Sequence, residues 1–174
     1  MFKNSRTLQS LTAAALTALI TGLLLILAAP SAEAKVWKPT VNSSLDPQTA
    51  MNEFENRVLI KINKVRANHN LPKVRYFQTC VDGMSEGWDS HIVSTGDLVH
   101  RDQMKVINKC SFTWAGECLI RGTGLTPAMS VSLWMHSPDH RAIIMKKRAN
   151  RAGIAFRVDG QGRLVGVLNF GDTN

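Results

Sequence analysis

Only three cysteines occur in the 174 residues, Cys80, Cys110 and Cys118, and no two stand in a Cys-x-x-Cys spacing. That absence gives no support to a dithiol redox motif or a zinc ribbon. Aromatic residues are scarce, at 6% with a single tyrosine, and they do not interleave with basic ones. No run of five or more like charges occurs. Together these features argue against a nucleic-acid partner. Internal repeats and low-complexity tracts are also missing. So is any elbow or triad motif that would present a serine or cysteine nucleophile.

The N-terminus follows an export pattern. Lys3 and Arg6 begin it, and Leu11 to Ala29 then runs 19 residues without charge. Pro30 breaks that run, and Ala32-Glu33-Ala34 supplies a small-x-small cleavage site. Residues 1–34 are therefore expected to be a signal peptide cleaved near Ala34, although 19 apolar residues are also enough for a retained anchor. Residues 35–45 read as a linker, and 46–174 as one domain of ordinary size. The expected location is the cell envelope or the outside of the cell, where disulfides are permitted. An odd cysteine count leaves one thiol over or implies an intermolecular bond, and spacing alone does not choose the pair.

Acidic residues are outnumbered 13 to 21 by lysine and arginine. Lys3, Arg6 and Glu33 fall in the leader, leaving 19 basic against 12 acidic residues and a net charge of +7. Such a surface favours anionic partners, an envelope polymer or acidic lipid, and also serves plain solubility. The cluster Lys146, Lys147, Arg148 and Arg151 follows a short helix, where cations suit a C-terminus; anchoring to an anionic polymer is the functional alternative.

Asp46-Pro47 opens the first expected helix as N-cap and first helical residue. Met51, Phe54, Val58, Ile62 and Val65 form its apolar stripe, with Glu55, Lys61, Lys64 and Arg66 off the stripe. Asn70 and Pro72 end it. A second helix starts at Thr79, with Val81, Met84, Trp88 and Ile92 inward and Gly96 closing it. Gly83 and Gly87 weaken it by roughly 1 kcal/mol each, which implies close packing at both. Thr126-Pro127 caps a third helix with Val131, Trp134 and Met135 facing inward. Ser137-Pro138 ends that helix and starts a short fourth. Residues 151–158 and 163–170 then form a hairpin around Asp159-Gly160-Gln161-Gly162, and residues 114–120 offer a third strand. Helices followed by antiparallel strands make the class α+β.

Five histidines carry most of the potential chemistry. His69, at the end of the first helix, is expected to face solvent, and His91 to be half-buried. His136 and His140 have the spacing of a helical zinc pair, but Pro138 lies between them and no Glu follows His136. Glu117, in Ala115-Gly116-Glu117-Cys118, sits in an apolar strand and needs a partner there.

Several segments, taken in order, resemble one family. They are Arg66 to Pro72, Leu98-Val99-His100, Ala115-Gly116-Glu117, Trp134 to Met145 and Ala152-Gly153-Ile154-Ala155. The set is similar to the CAP superfamily (cysteine-rich secretory proteins, antigen 5, pathogenesis-related 1), in its bacterial, SCP-like secreted branch of actinobacterial type. The likeness spans roughly residues 51–170. It implies an α-β-α sandwich, an antiparallel sheet flanked by helices, with a cleft at one end. In the family a His, a Glu and a second His line that cleft, which here implies His100, Glu117 and His140. Two imidazoles and a carboxylate can hold zinc with one position open, act as an acid–base set, or brace the fold. The family's second Glu has Ser137 near its place. The Asn after the first Glu is Cys118 here, and the Gly before the second His is Asp139.

Relatives of actinobacterial type carry cysteines at the start of the second helix and before the Gly-Glu-Asn motif, which implies a Cys80–Cys110 bridge and a free Cys118. Closing that 31-residue loop contributes about 3–4 kcal/mol. A free Cys118 reads either as a nucleophile beside a His or as a small buried hydrophobe. The function expected is a secreted, monomeric binding module for an envelope or host ligand, its cleft a candidate divalent-metal site. A hydrolase of peptide or wall material through His100, Glu117 and His140 is the alternative, and a structural envelope protein the third reading.

Overall fold

The computed structural model describes residues 47–75 and 79–173. The expected signal peptide, the linker and the N-cap Asp46 lie outside the described residues. Five helices and three strands follow in the order α1 (Pro47–Asn68), α2 (Thr79–Thr95), α3 (Gln103–Cys110), β1 (Ala115–Gly122), α4 (Pro127–His136), α5 (Pro138–Ile144), β2 (Arg151–Val158) and β3 (Leu164–Gly171). The sheet is antiparallel throughout, in the order β1-β3-β2.

Side-chain alternation along the strands divides the buried apolar residues between the two faces of the sheet. Cys118, Ile120, Ala152, Ile154, Phe156, Leu164, Leu168 and Phe170 pack with Phe54, Val58 and Ile62 of α1, Val131 and Trp134 of α4 and Ile144 of α5. Ala115 packs with Val81 and Val106, of α2 and α3. Leu119, Val165 and Val167 pack with Ile92 of α2. Even-numbered positions thus face one helical layer and odd-numbered ones the other, so the expected α-β-α sandwich is present.

The hairpin forms where the alternation placed it. Asp159 accepts from the backbone N–H of Gln161 and Arg163, closing the turn. On α4, Thr126 accepts from Met129 N–H as a side-chain cap. Ser137 stands at the N-cap of α5 but makes no side-chain cap bond.

Three expectations need correction. Glu55 and Arg66, set off the α1 stripe, are buried. The cause is that α1 is covered on more than its apolar face. Glu55 accepts from Phe156 N–H on the outer edge of β2. Arg66 donates to the carbonyls of Pro72, Ile144, Lys146 and Ala149, filling the space where α5 ends. Close packing at Gly83 and Gly87 is not found, because a Cβ at either position would meet nothing within 4 Å. The close approach occurs on the opposite side of the contact, where a Cβ on Gly153 of β2 would lie 2.4 Å from the Val81 backbone. Finally, α3 was not anticipated: its two turns bury only Val106 and Cys110, too few apolar positions to show a period.

Cys80 and Cys110 form the disulfide that the resemblance implied, joining the start of α2 to the end of α3. Cys118 is free and buried.

Candidate ligand cleft

The loop after α2 carries His100, and several bonds fix it. Gly96 takes the left-handed conformation (φ +82) that ends α2. Trp88 Nε1–H donates to the Val99 carbonyl at 3.1 Å. Arg101 turns inward, donating to the Met84 carbonyl at 2.8 Å with its guanidinium 5.4 Å from the Trp88 ring centre.

Glu117 is an odd-numbered residue of β1, so its side chain enters the α2–α3 side of the sheet. Burying a carboxylate requires partners, and the His100 loop provides them. Oε1 lies 3.0 Å from His100 Nδ1 and accepts from Arg101 N–H at 3.1 Å. Oε2 faces Arg101 Nη2 at 3.8 Å. A carboxylate only accepts, so at this contact His100 Nδ1–H is the donor, and Nε2 is the ring nitrogen that Glu117 does not engage. The two partners differ sharply in exposure: the His100 side chain is 58% exposed and that of Glu117 is 1%.

His140 comes from α5, across the cavity, with its ring centre 6.3 Å from that of His100. Burial pulls its pKa below the ordinary histidine range, and the neighbouring His100 adds to this against the opposing pull of Asp139. His140 is therefore neutral at pH 7. The cavity between the walls is about 540 Å³. His100 and Gln103 line one side, Ser137, Asp139, His140 and Ile143 the other, and Trp114 to Glu117 the floor.

The three residues named from the resemblance are thus brought together. They do not converge as three ligands, however. Glu117 is buried against His100 and Arg101, and among the described residues no group of three His, Cys, Asp or Glu side chains is placed to hold a metal ion. Cys118 points to the opposite face of the sheet from Glu117, with Sγ 3.8 Å from the His140 carbonyl. Burial pushes its thiol pKa far up, so it stays protonated and acts as a small buried side chain.

The other histidines lie elsewhere. His69 is exposed, as expected. His91 is exposed rather than half-buried, because it lies on the outer surface of α2 stacked on Trp88 with ring centres 4.6 Å apart. His136 ends α4 with Nδ1 2.7 Å from the Ser132 carbonyl, on a different helix from His140.

Sequence reasoning missed Arg101 and Trp114. Arg101 follows His100 directly, but nothing in its neighbours signals burial. Trp114 stands at the cavity floor under two members of the basic cluster, with Lys146 Nζ 5.7 Å and the Arg148 guanidinium 6.0 Å from its ring centre. Arg148 also pairs with Asp172 at 2.6 Å. Both cations thus sit over an aromatic ring as well as after a helix, and Arg148 is held by a carboxylate besides.

No curated protein matches the sequence. Solved structures do match the fold. An outer surface protein from Borrelia burgdorferi superposes with a TM-score of 0.65 at 18% identity, covering 71% of this chain and 96% of its own. An extracellular protein containing a SCP domain from Bacillus anthracis gives 0.60 at 18% identity, covering 74% of this chain but 44% of its own. A cysteine-rich secretory protein from Staphylococcus aureus gives 0.58 at 11% identity, with 70% and 39% covered. This chain thus spans less than half the length of the last two. The model of the CAP, or Cysteine-rich secretory protein, family matches residues 59–170, and the chain belongs to that family.

Proposed function

We propose that the chain is exported and acts outside the cytoplasm as a binding module, with its ligand in the cleft of His100, Glu117 and His140. The observation that carries the binding role is the contrast between platform and presented groups. Glu117 and Arg101 are buried and mutually engaged, whereas His100 stands out from them into an open cavity. A group that only braced the fold would be enclosed with its partners.

Export is supported by the charged start, apolar run and cleavage site of residues 1–34, and by the Cys80–Cys110 bridge. The bridge also supports the actinobacterial branch. The similar structures include an outer surface protein and an extracellular one. Hydrolysis of peptide or wall material has less support, since Cys118 is buried behind the sheet and no Ser stands in a triad.

The reading is tested by fractionating cells that express the full sequence and sequencing the N-terminus of the product. The expected product begins at Lys35, outside the cytoplasm, with part of it sedimenting with the envelope. The His100→Ala/His140→Ala double variant is exported equally but moves from envelope to medium. A chain kept in the cytoplasm, or a double variant that sediments unchanged, contradicts the reading.

A divalent cation, zinc in the first instance, is a second reading. It is favoured by the Glu117–His100 pair, since a carboxylate behind an imidazole is the usual support of a metal-ligating histidine. His100 and His140 would hold the ion. Two protein ligands are one fewer than zinc sites with an open position commonly have. Calorimetric zinc titration decides it: one-to-one binding lost in both His100→Ala and His140→Ala supports the ion, and no binding by the intact chain removes it.

A further inference from the structure

Arg66 does more than fill space at the end of α1. Its guanidinium donates to the Pro72 carbonyl on one segment and to the carbonyls of Ile144, Lys146 and Ala149 on another. A single buried side chain thus fastens residues 72–75 beside residues 144–151. Arg75 N–H adds a bond to the Asn150 carbonyl at 2.9 Å, and Arg75 pairs with Arg151 in a parallel bridge.

Both segments belong to stretches of the chain without an acidic residue. None occurs from Arg57 to Val81 or from His140 to Val158, and these stretches hold twelve of the 21 lysines and arginines. Folding brings part of that charge to one place. Lys73, Arg75, Lys146, Lys147 and Arg148 are exposed, and Arg151 is half-buried. Of these six, only Arg148 has an acidic partner among the described residues, Asp172. At the bridge the repulsion is direct. Paired strand positions lie about 5 Å apart and present their side chains to one face. Like charges there oppose folding, and a bound anion relieves them. Dispersed cations would serve solubility equally well without that cost.

We propose that this basic face is a second binding surface, separate from the cleft, for a linear polymer that carries phosphate in its backbone. The proposal goes beyond the cleft reading and does not depend on it. Unpaired cations on both segments call for several anionic groups on one molecule, not for a lone phosphate. Three of the six are arginines, whose planar forks match phosphate oxygens two at a time. A lipid surface fits less well, because no large apolar side chain is exposed on either segment to enter it. Nucleic acid also fits less well: the Trp114 ring beside the face already lies under Lys146 and Arg148 and is not open to a base.

The test uses the chain expressed from its full sequence, with processing left to the host. The probe is end-labelled inorganic polyphosphate, followed by fluorescence anisotropy. Binding is expected to weaken steeply with added salt, and orthophosphate at equal total phosphate is expected not to compete. Arg75→Gln/Arg151→Gln and Lys146→Gln/Lys147→Gln should each weaken binding about tenfold or more and flatten the salt dependence. Lys105→Gln/Lys109→Gln, which removes two exposed cations from α3, should change it less than about twofold, and so should His100→Ala/His140→Ala. Without polymer, Arg75→Gln/Arg151→Gln should melt no lower than the intact chain, since it removes a repulsion. If that pair does not fold, the Lys146/Lys147 pair decides. The proposal is overturned if the intact chain does not bind polyphosphate, or if the α3 pair weakens binding as much as the others. It is equally overturned if polyglutamate of matched charge, a single-stranded oligonucleotide or phosphatidylglycerol vesicles bind more tightly than polyphosphate. High salt removes this hold, so envelope retention measured there reports the cleft alone, and either reading can fail without the other.

Discussion

Between α1, α2 and β2, burial sets the protonation of three carboxyl groups. It raises Glu55 to about 8, against the Phe156 N–H bond that favours the charged form, and the nearby acids Glu86, Asp82 and Asp89 raise it further. Burial likewise raises Asp89 to about 7, partly offset by Arg157, and Asp82 to about 6. A carboxyl whose folded pKa lies above its unfolded value binds a proton more tightly in the folded state. Its stabilising effect is complete below the unfolded pKa and is lost as pH rises through the folded one. For Glu55 that window runs from 4.5 to about 8. His140, held low, acts in the opposite sense below about pH 6.5. We therefore expect Glu55→Gln, which keeps an acceptor for Phe156 N–H, to reduce the fall in stability between pH 5 and pH 8. Urea midpoints across that range measure it. Equal slopes in the two proteins would contradict the assignment. Glu55 and Arg66 also mark where a one-dimensional reading stops. Periodicity reports the apolar stripe, but a helix enclosed on several sides buries charged residues whose partners lie 78 to 101 positions away.

Among the elements, the contact of α2 with β2 offers a paired test. Gly83 and Gly87 face open space within their helix, so replacing either with Ala should stabilise the protein, by up to about 1 kcal/mol. Gly153→Ala should destabilise it by about 1–3 kcal/mol or more, because the new methyl meets helix backbone that cannot give way locally. Chemical denaturation of the three variants checks this, and a stabilised Gly153→Ala would mean that α2 does not approach β2 as described. Strand and helix periods, with proline and glycine punctuation, made seven of the eight elements legible. Two-turn α3 was not, since its cap Asp102 and its Ser111 C-cap (φ 55) are local signals without an apolar period between them. The glycines of α2 were misread for a related reason: a helical glycine can signal close packing or nothing at all, and only the partner strand decides which.

For the molecule as a whole, the sandwich brings together residues 40 positions apart, His100 and His140, at the open end of one sheet edge. Their place in the cleft, and the Cys80–Cys110 bridge, were legible through ordered motif pieces and not through any single spacing. What those pieces did not carry was the platform: Arg101 beneath the loop and Trp114 at the floor. These depend on strand register and on which neighbours exclude water, neither of which is encoded in a short motif. His100 and His140 are the groups presented to a ligand, and Glu117 with Arg101 is their support. The most direct test compares thermal unfolding of the His100→Ala/His140→Ala double variant with Arg101→Ala. Removing the two imidazoles should leave the melting temperature within about 2 °C of the intact chain, whereas removing Arg101, which leaves the buried Glu117 carboxylate short of its partner, should lower it by roughly 5 °C or more. A double variant that melts as early as Arg101→Ala would make the imidazoles part of the brace and contradict the assignment of the cleft to binding.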